Sequence, residues 1–233
     1  MPARLENAAM TEPRLELKKL SNDGTLAIFD QLAEEQKQAL SGAFSERNQK
    51  IAECGNSIKE TVSMLRARGC ESHEAIWNSA LFLNTVAYDL SIGVLDLVYE
   101  RDHWKRRLIA RTVALIVYEI GEDIPAVFGK KFRDALKKLK VPEDQTDQLY
   151  QCVKLIAEAW NENRAVLKEI RTISAAHRDH DALAIHKTID AIDVFELVGV
   201  AIKLGTLLNR LGPETQKVMT LTGQIQPPEI AGS

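Results

Sequence analysis

The sequence predicts an all-α protein, a single helical bundle of about five to seven helices with no significant sheet, and three observations lead there. Apolar residues recur at helical spacing over long stretches. The clearest series is Leu149, Val153, Ile156, Trp160, Asn163, Leu167, Ile170 and Ser174, where alternating steps of four and three place one stripe on one helix face. Strand signals are nearly absent: the one β-branched run that could pass for a buried strand, Thr112–Ile120 (TVALIVYEI), has no partner elsewhere. Finally, no Pro- or Ser-rich linker and no repeat of 20–50 residues divides the 233 residues, which are enough to bury one substantial core.

The elements follow in order. Residues 1–23 are polar and weakly patterned and are expected to form a flexible N-terminal segment, with a helical domain over 24–221 and a frayed tail over 222–233. The SNDG turn at 21–24 can deliver an N-cap to a helix starting near Thr25. Ile28, Phe29, Leu32, Leu40, Phe44 and Ile51 give that helix a face, and Gly42 and Gly55 are the points where it should break or bend. Arg68-Gly69 reads as a stop and Ser72 as the next N-cap. Two helices follow, roughly 73–99 and 102–128, the second strained near Pro125. A short basic helix spans 129–139, and Pro142 at a first helical position opens a long helix to about Ala176. The last major helix covers about 191–211, ended by Gly212-Pro213.

Composition narrows the functional classes. With 45% hydrophobic and 27% charged residues the chain reads as an ordinary soluble protein. A net charge of -3 gives no whole-molecule attraction to nucleic acid or anionic membrane, so any polyanion site must be a local basic patch. Cys54, Cys70 and Cys152 have no CxxC spacing, which predicts free thiols in a reducing compartment and no thiolate zinc site. The N-terminus lacks the apolar run of a secretory signal. The stretches read as most apolar, Leu108–Ile120 and Ala191–Leu208, are interrupted by charges and fall short of the about 18–20 residues that cross a bilayer, so the expectation is a cytoplasmic protein with no membrane partner.

Function is most legible at Leu167–Asp181, LKEIRTISAAHRDHD, where an amphipathic helix runs out into a cluster of Arg, His and Asp that no core requires. On an ideal helix Arg171 borders one flank of the apolar stripe, and His177 lies near the opposite flank about two turns further on. Arg66 to His73 and Arg68 to His73 have similar spacing but straddle the Gly69 stop in an ordinary interhelical turn. Arg171 with five residues before His177, at the end of a long helix and followed by the polar loop HRDHDALAIHK and an apolar helix, resembles the Arg-x(4–6)-His motif of the HEPN superfamily. The resemblance covers mainly residues 144–211 and carries a polar residue, Thr172, after the arginine, where that superfamily more often has Asn, Asp or His.

The resemblance implies an HEPN-like fold and a metal-independent endoribonuclease, with no cofactor and no metal, of a toxin–antitoxin or abortive-infection defence system. His177 would act as general base or acid and Arg171 would anchor the phosphate and the transition state, leaving a 2′,3′-cyclic phosphate. Ser174, Arg178 and Arg164 are weaker candidates for substrate binding. Because the family commonly packs two motif helices around one cleft, it also implies a homodimer, or a heterodimer with a related or antitoxin chain. The chemistry suits the residue types, since a neutral imidazole can take the 2′-OH proton and a guanidinium matches phosphate oxygens while staying charged.

Other readings stand beside this one. A capped, solvated helix end would also place Arg, His and Asp together, and a non-catalytic HEPN-like binding or immunity module would carry the same fold. His177, Asp179, His180, Asp181 and His186 form a ligand-rich loop, and His180-Asp181 has a superficial likeness to metal-dependent HD phosphohydrolases, although the upstream histidine they need is missing at a suitable spacing. In RDHWKRRLIAR, 101–111, Trp104, Arg106 and Arg107 could line an RNA groove, with salt-bridged interhelical contacts as the competing role. Lys130, Lys131, Arg133, Lys137, Lys138 and Lys140 read as solubilising surface. Tyr118, Glu119, Glu122 and Asp123 are explained equally well by a cleft or by core and helix surface.

Overall fold

The computed structural model describes residues 22–175 and 182–223, and these form an all-α bundle. The described residues hold eight helices: α1 (Asn22–Glu35), α2 (Lys37–Ala67), α3 (Glu71–Tyr99), α4 (His103–Val127), α5 (Lys130–Lys138), α6 (Glu143–Ala175), α7 (Ala182–Asp190) and α8 (Val194–Gly223). Helices α1 and α2 are separated by Gln36 alone.

Four of them make the core. Helices α3, α4, α6 and α8 contact one another in a ring, α3 to α4 to α6 to α8 and back to α3, and the short connection between α3 and α4 makes that pair antiparallel. Each turns a stripe with steps of three, four or seven residues inward: Ile76, Leu83, Leu90, Val94 and Leu97 on α3; Val113, Val117, Ile120 and Ile124 on α4; Leu149, Val153, Ile156, Trp160, Leu167 and Ile170 on α6; Leu197, Ala201, Leu204, Leu208, Leu211 and Val218 on α8. The predicted α6 stripe is therefore the core face of that helix. Helix α2 lies outside α3, burying Ile58, Val62 and Leu65. Helix α5 closes one end of the ring with Phe132, Ala135 and Leu136, and its lysines stay outside.

Several boundaries differ from the sequence reading, each for a local reason. Helix α2 runs unbroken through Gly42 and Gly55, and the interruption falls instead at Gln36. Gly55 is a contact residue: Asn84 of α3 donates to the Ile51 carbonyl at 3.0 Å, and a Cβ on Gly55 would lie 2.5 Å from the Asn84 Oδ1. The helix expected from Thr25 already includes Asn22, and α3 begins at Glu71 behind Cys70, so Ser72 lies inside the first turn and is not its cap. Gly69 does end α2, with φ at 66°. Thr112–Ile120 is helical, which removes the strand alternative. Pro125 falls in the last turn of α4, where the helix ends anyway.

The largest difference is at the C-terminal helix, which continues through Gly212-Pro213 to Gly223. Pro213 leaves the Asn209 carbonyl without its helical donor, and Asn209 is exposed, so water can take that place. Burial of Thr215, Val218 and Thr222 beyond the proline holds the helix on the core. The true start is Val194, because the Asp193 side chain accepts from the Glu196 N–H at 2.9 Å and caps it.

By length and composition α3 is the one described helix apolar enough to cross a membrane, and it is not one of the two stretches singled out from sequence. In the fold it packs against α2, α4, α5 and α8, with 28% of its most apolar 18-residue window buried. The three cysteines are free thiols.

Two substitutions test this packing. Gly121 of α4 faces Trp160 of α6 so closely that a Cβ would overlap the indole ring. Gly121→Ala should therefore lower unfolding free energy by about 1–3 kcal/mol despite its better helix propensity, measured by urea denaturation. Lys140, behind α5, holds φ at 51°, while Val141 N–H reaches back to the Leu136 carbonyl. Lys140→Gly removes the left-handed penalty and should raise stability by up to about 1 kcal/mol.

Candidate functional site

The end of α6 is organised around two aromatic rings. Trp160 of α6 sits against Gly121, and its indole meets the Tyr118 ring of α4 edge-on, centroids 6.0 Å apart. Both rings are buried, and the Trp160 Nε1 has no hydrogen-bond partner. Two arginines of α6 lie over them. The Arg164 guanidinium is 4.7 Å from the Trp160 centroid, and Arg171 is 4.9 Å from that of Tyr118. Seven residues apart, they stand on one flank of the helix, about 10 Å apart along its axis.

The two arginines differ in charge balance. Arg164 pairs with Glu122 at 3.5 Å, both largely exposed, which is a weak surface contact. Arg171 is exposed and makes no ion pair among the described residues. Stacking on Tyr118 holds its plane, and no described residue accepts a hydrogen bond from its N–H donors. Thr172, the residue after it, donates its hydroxyl to the Lys168 carbonyl at 2.8 Å and is turned into its own helix. The opposite flank of α6 has the other sign. There a groove of about 300 Å³ runs between α6 and α8, lined by Leu167, Ile170 and Val200 and rimmed by Glu169, Asp193 and Glu196.

His177 and Arg178 lie outside the described residues, as do Asp179, His180 and Asp181 of the metal alternative. Ser174 is in the last turn of α6, with its side chain outside the description. Among the described residues no three His, Cys, Asp or Glu side chains gather as a metal site. The expected loop 177–187 includes helix α7 from Ala182, held by its C-terminal end: Arg107 donates to the Ile189 carbonyl at 2.7 Å and pairs with Asp190 at 2.6 Å. His186 of α7 stacks on Trp104, centroids 5.2 Å apart.

The 101–111 segment is thus largely occupied within the fold. Arg106 is buried and pairs with Asp30 of α1 at 2.6 Å, and Arg101 reaches the same carboxylate at 3.0 Å. Arg107 also donates to His103 Nε2 at 3.1 Å. Trp104 remains exposed. In the second basic stretch Arg133 covers the Tyr150 ring at 5.4 Å, and the Tyr150 hydroxyl donates to the Phe128 carbonyl at 2.8 Å. Burial pushes that phenol up to about 12.

Sequence reasoning found Arg171 and Arg164 but not their seats. The signal was present, since Trp160, Arg164 and Arg171 are spaced by four and seven, yet Tyr118 comes from another helix and could not be paired with Arg171 by spacing. No family model matches the chain, and no curated protein and no solved structure matches it either.

The roles of the 101–111 arginines separate experimentally. Arg106→Ala leaves Asp30 without its buried partner and should cost about 2–4 kcal/mol, while Arg107→Ala, facing an exposed Asp190, should cost about 1 kcal/mol or less. Urea denaturation reads both. Unchanged stability together with weakened RNA binding would instead make these residues a nucleic-acid surface.

Proposed function

We propose that the end of α6 is the site of an HEPN-like, metal-independent endoribonuclease, in which Arg171 holds the scissile phosphate and His177 transfers protons. One observation carries the reading: Arg171 is an exposed guanidinium seated on Tyr118, with no carboxylate among the described residues to neutralise it. A cation so placed is oriented before a ligand arrives, which suits charge stabilisation in a transition state. His177 follows six residues later and can be brought back to the same end of the helix by the chain between them.

In this mechanism His177 takes the proton of a ribose 2′-OH, and that oxygen attacks the adjacent phosphorus. The P–O5′ bond breaks, the leaving oxygen takes the proton that His177 now carries, and a 2′,3′-cyclic phosphate remains. Arg171 stabilises the charge on the non-bridging oxygens, with Arg164 as a second contact up the same flank and Ser174 and Arg178 completing the pocket. No metal or cofactor is required. The proposal extends to a cytoplasmic toxin or defence protein working as a homodimer, or as a heterodimer with a related or antitoxin chain, that shares the cleft between two copies of α6.

A second reading, a non-catalytic HEPN-like binding or immunity module, is favoured by Thr172. Its hydroxyl proton is spent on the Lys168 carbonyl, so the position after the arginine offers an acceptor oxygen but no free donor to a phosphate.

Cleavage of RNA in EDTA with cyclic-phosphate ends is the expected result. His177→Ala and Arg171→Ala should each slow it about 10²-fold or more with little change in melting temperature. Loss of activity in EDTA, with His180 or Asp181 variants most damaging, would favour HD-like metal chemistry. Intact RNA in every assay, with tight binding of a partner that both alanine variants retain, would favour the binding module.

A further inference from the structure

Away from α6, a groove of about 150 Å³ opens between α2, α3 and α8. Its walls are apolar, with Phe44, Ala87, Leu90 and Val94 among them, and one cation, Arg47 of α2, stands at its edge. The arginine is fixed from two sides: Nη1 donates to the Ser91 hydroxyl and Nη2 to the Asn209 Oδ1, each at 3.0 Å. Ser91 is itself buried and donates to the Asn48 Oδ1 at 2.7 Å, so its oxygen is held in place to accept from Arg47.

Neutral partners orient this guanidinium without cancelling its charge. Three other arginines that join helices pair with carboxylates instead: Arg106 with Asp30, Arg107 with Asp190 and Arg66 with Glu74. Arg47 has none among the described residues, and burial lowers its pKa from the ordinary value, the mark of a charge partly removed from water without compensation. Two hydrogen bonds use two of its five N–H donors, which leaves a fork for a pair of anionic oxygens. The adjoining space is smaller than the about 300–1,000 Å³ of drug-sized ligand sites, so the body carried by those oxygens must be short.

We propose that this groove binds a small amphiphilic anion, a carboxylate or phosphomonoester on a short aliphatic body, with its oxygens on Arg47 and its apolar part against Leu90 and Val94. The site is independent of the reading of Arg171, since none of its lining residues belongs to α4 or α6.

The test uses the full chain labelled with ¹⁵N, titrated at constant ionic strength with butyrate, n-butyl phosphate, the neutral isostere butyramide, and chloride. Butyrate, butyl phosphate or both should shift the Arg47 Nε–H and Asn209 side-chain amide resonances saturably, with Kd of roughly millimolar, while butyramide and chloride do not. Whichever anion binds identifies the head group. Arg47→Gln should weaken binding about tenfold or more. Gly205→Leu provides a variant that keeps Arg47: a Cβ there meets only Leu90, at 3.8 Å, so the added side chain can fill the groove and should abolish binding without lowering the melting temperature. The absence of a saturable shift at tens of millimolar, equal binding by chloride or butyramide, or undiminished binding by Gly205→Leu would overturn the proposal. If Arg47→Gln does not fold, the Gly205→Leu comparison decides.

Discussion

The approach of α4 to α6 at Gly121 and Trp160 is the contact on which the site end of the bundle depends. Only a residue without a Cβ lets the indole lie directly on the α4 backbone. That separation brings Tyr118 edge-on to Trp160 and beneath Arg171. The indole Nε1 is left without a partner by the same contact, a cost of the order of 1–3 kcal/mol for a buried polar group. Burial of the large indole surface and its stacking with Arg164 oppose it. The placement of Arg164 and Arg171 over aromatic rings at the end of α6 is therefore tied to the α4–α6 packing at Gly121.

The interhelical arginines divide into those paired with carboxylates and those with no carboxylate partner among the described residues. Asp30 gathers Arg101 and Arg106 and so ties α1 to the start of α4. Arg107 does the same for α7 through Ile189 and Asp190. Arg171 and Arg47 belong to the second group, each held by neutral groups, a ring in one case and a hydroxyl and an amide in the other. Holding a guanidinium by neutral contacts fixes its direction and preserves its charge, whereas a carboxylate would fix it and cancel the field. The two flanks of α6 also differ in charge, with Glu169, Asp193 and Glu196 around the α8 groove and Arg164, paired with Glu122, and Arg171 toward α4.

Legibility followed the range of the physics. The stripe from Leu149 to Ile170 could be read directly, because burial of one helix face imposes its own spacing on the chain. So could the stop at Gly69, a local backbone preference. Gly42, Gly55 and Pro213 misled because helix breaking is also local, and packing overrode it: α2 and α8 continue since the residues beyond those positions, Ile58 and Val62 or Thr215 and Val218, are buried against α3 and the core. At the site, Arg164 and Arg171 share a face by spacing alone, but Tyr118 is more than forty residues away and joins them only through the fold.

By itself the sequence determined the all-α class, the core-facing stripes and the concentration of Arg, His and Asp after Leu167, since these depend on residue type and helical period. Only the tertiary structure decided which cations are spent. Arg106, Arg107 and Arg171 are alike as residues in helical surroundings, yet the first is buried on Asp30, the second holds α7, and the third rests on Tyr118 with no carboxylate partner among the described residues. The reason is that a charge takes its role from what lies within a few ångströms of it, and those neighbours come from helices distant in the chain.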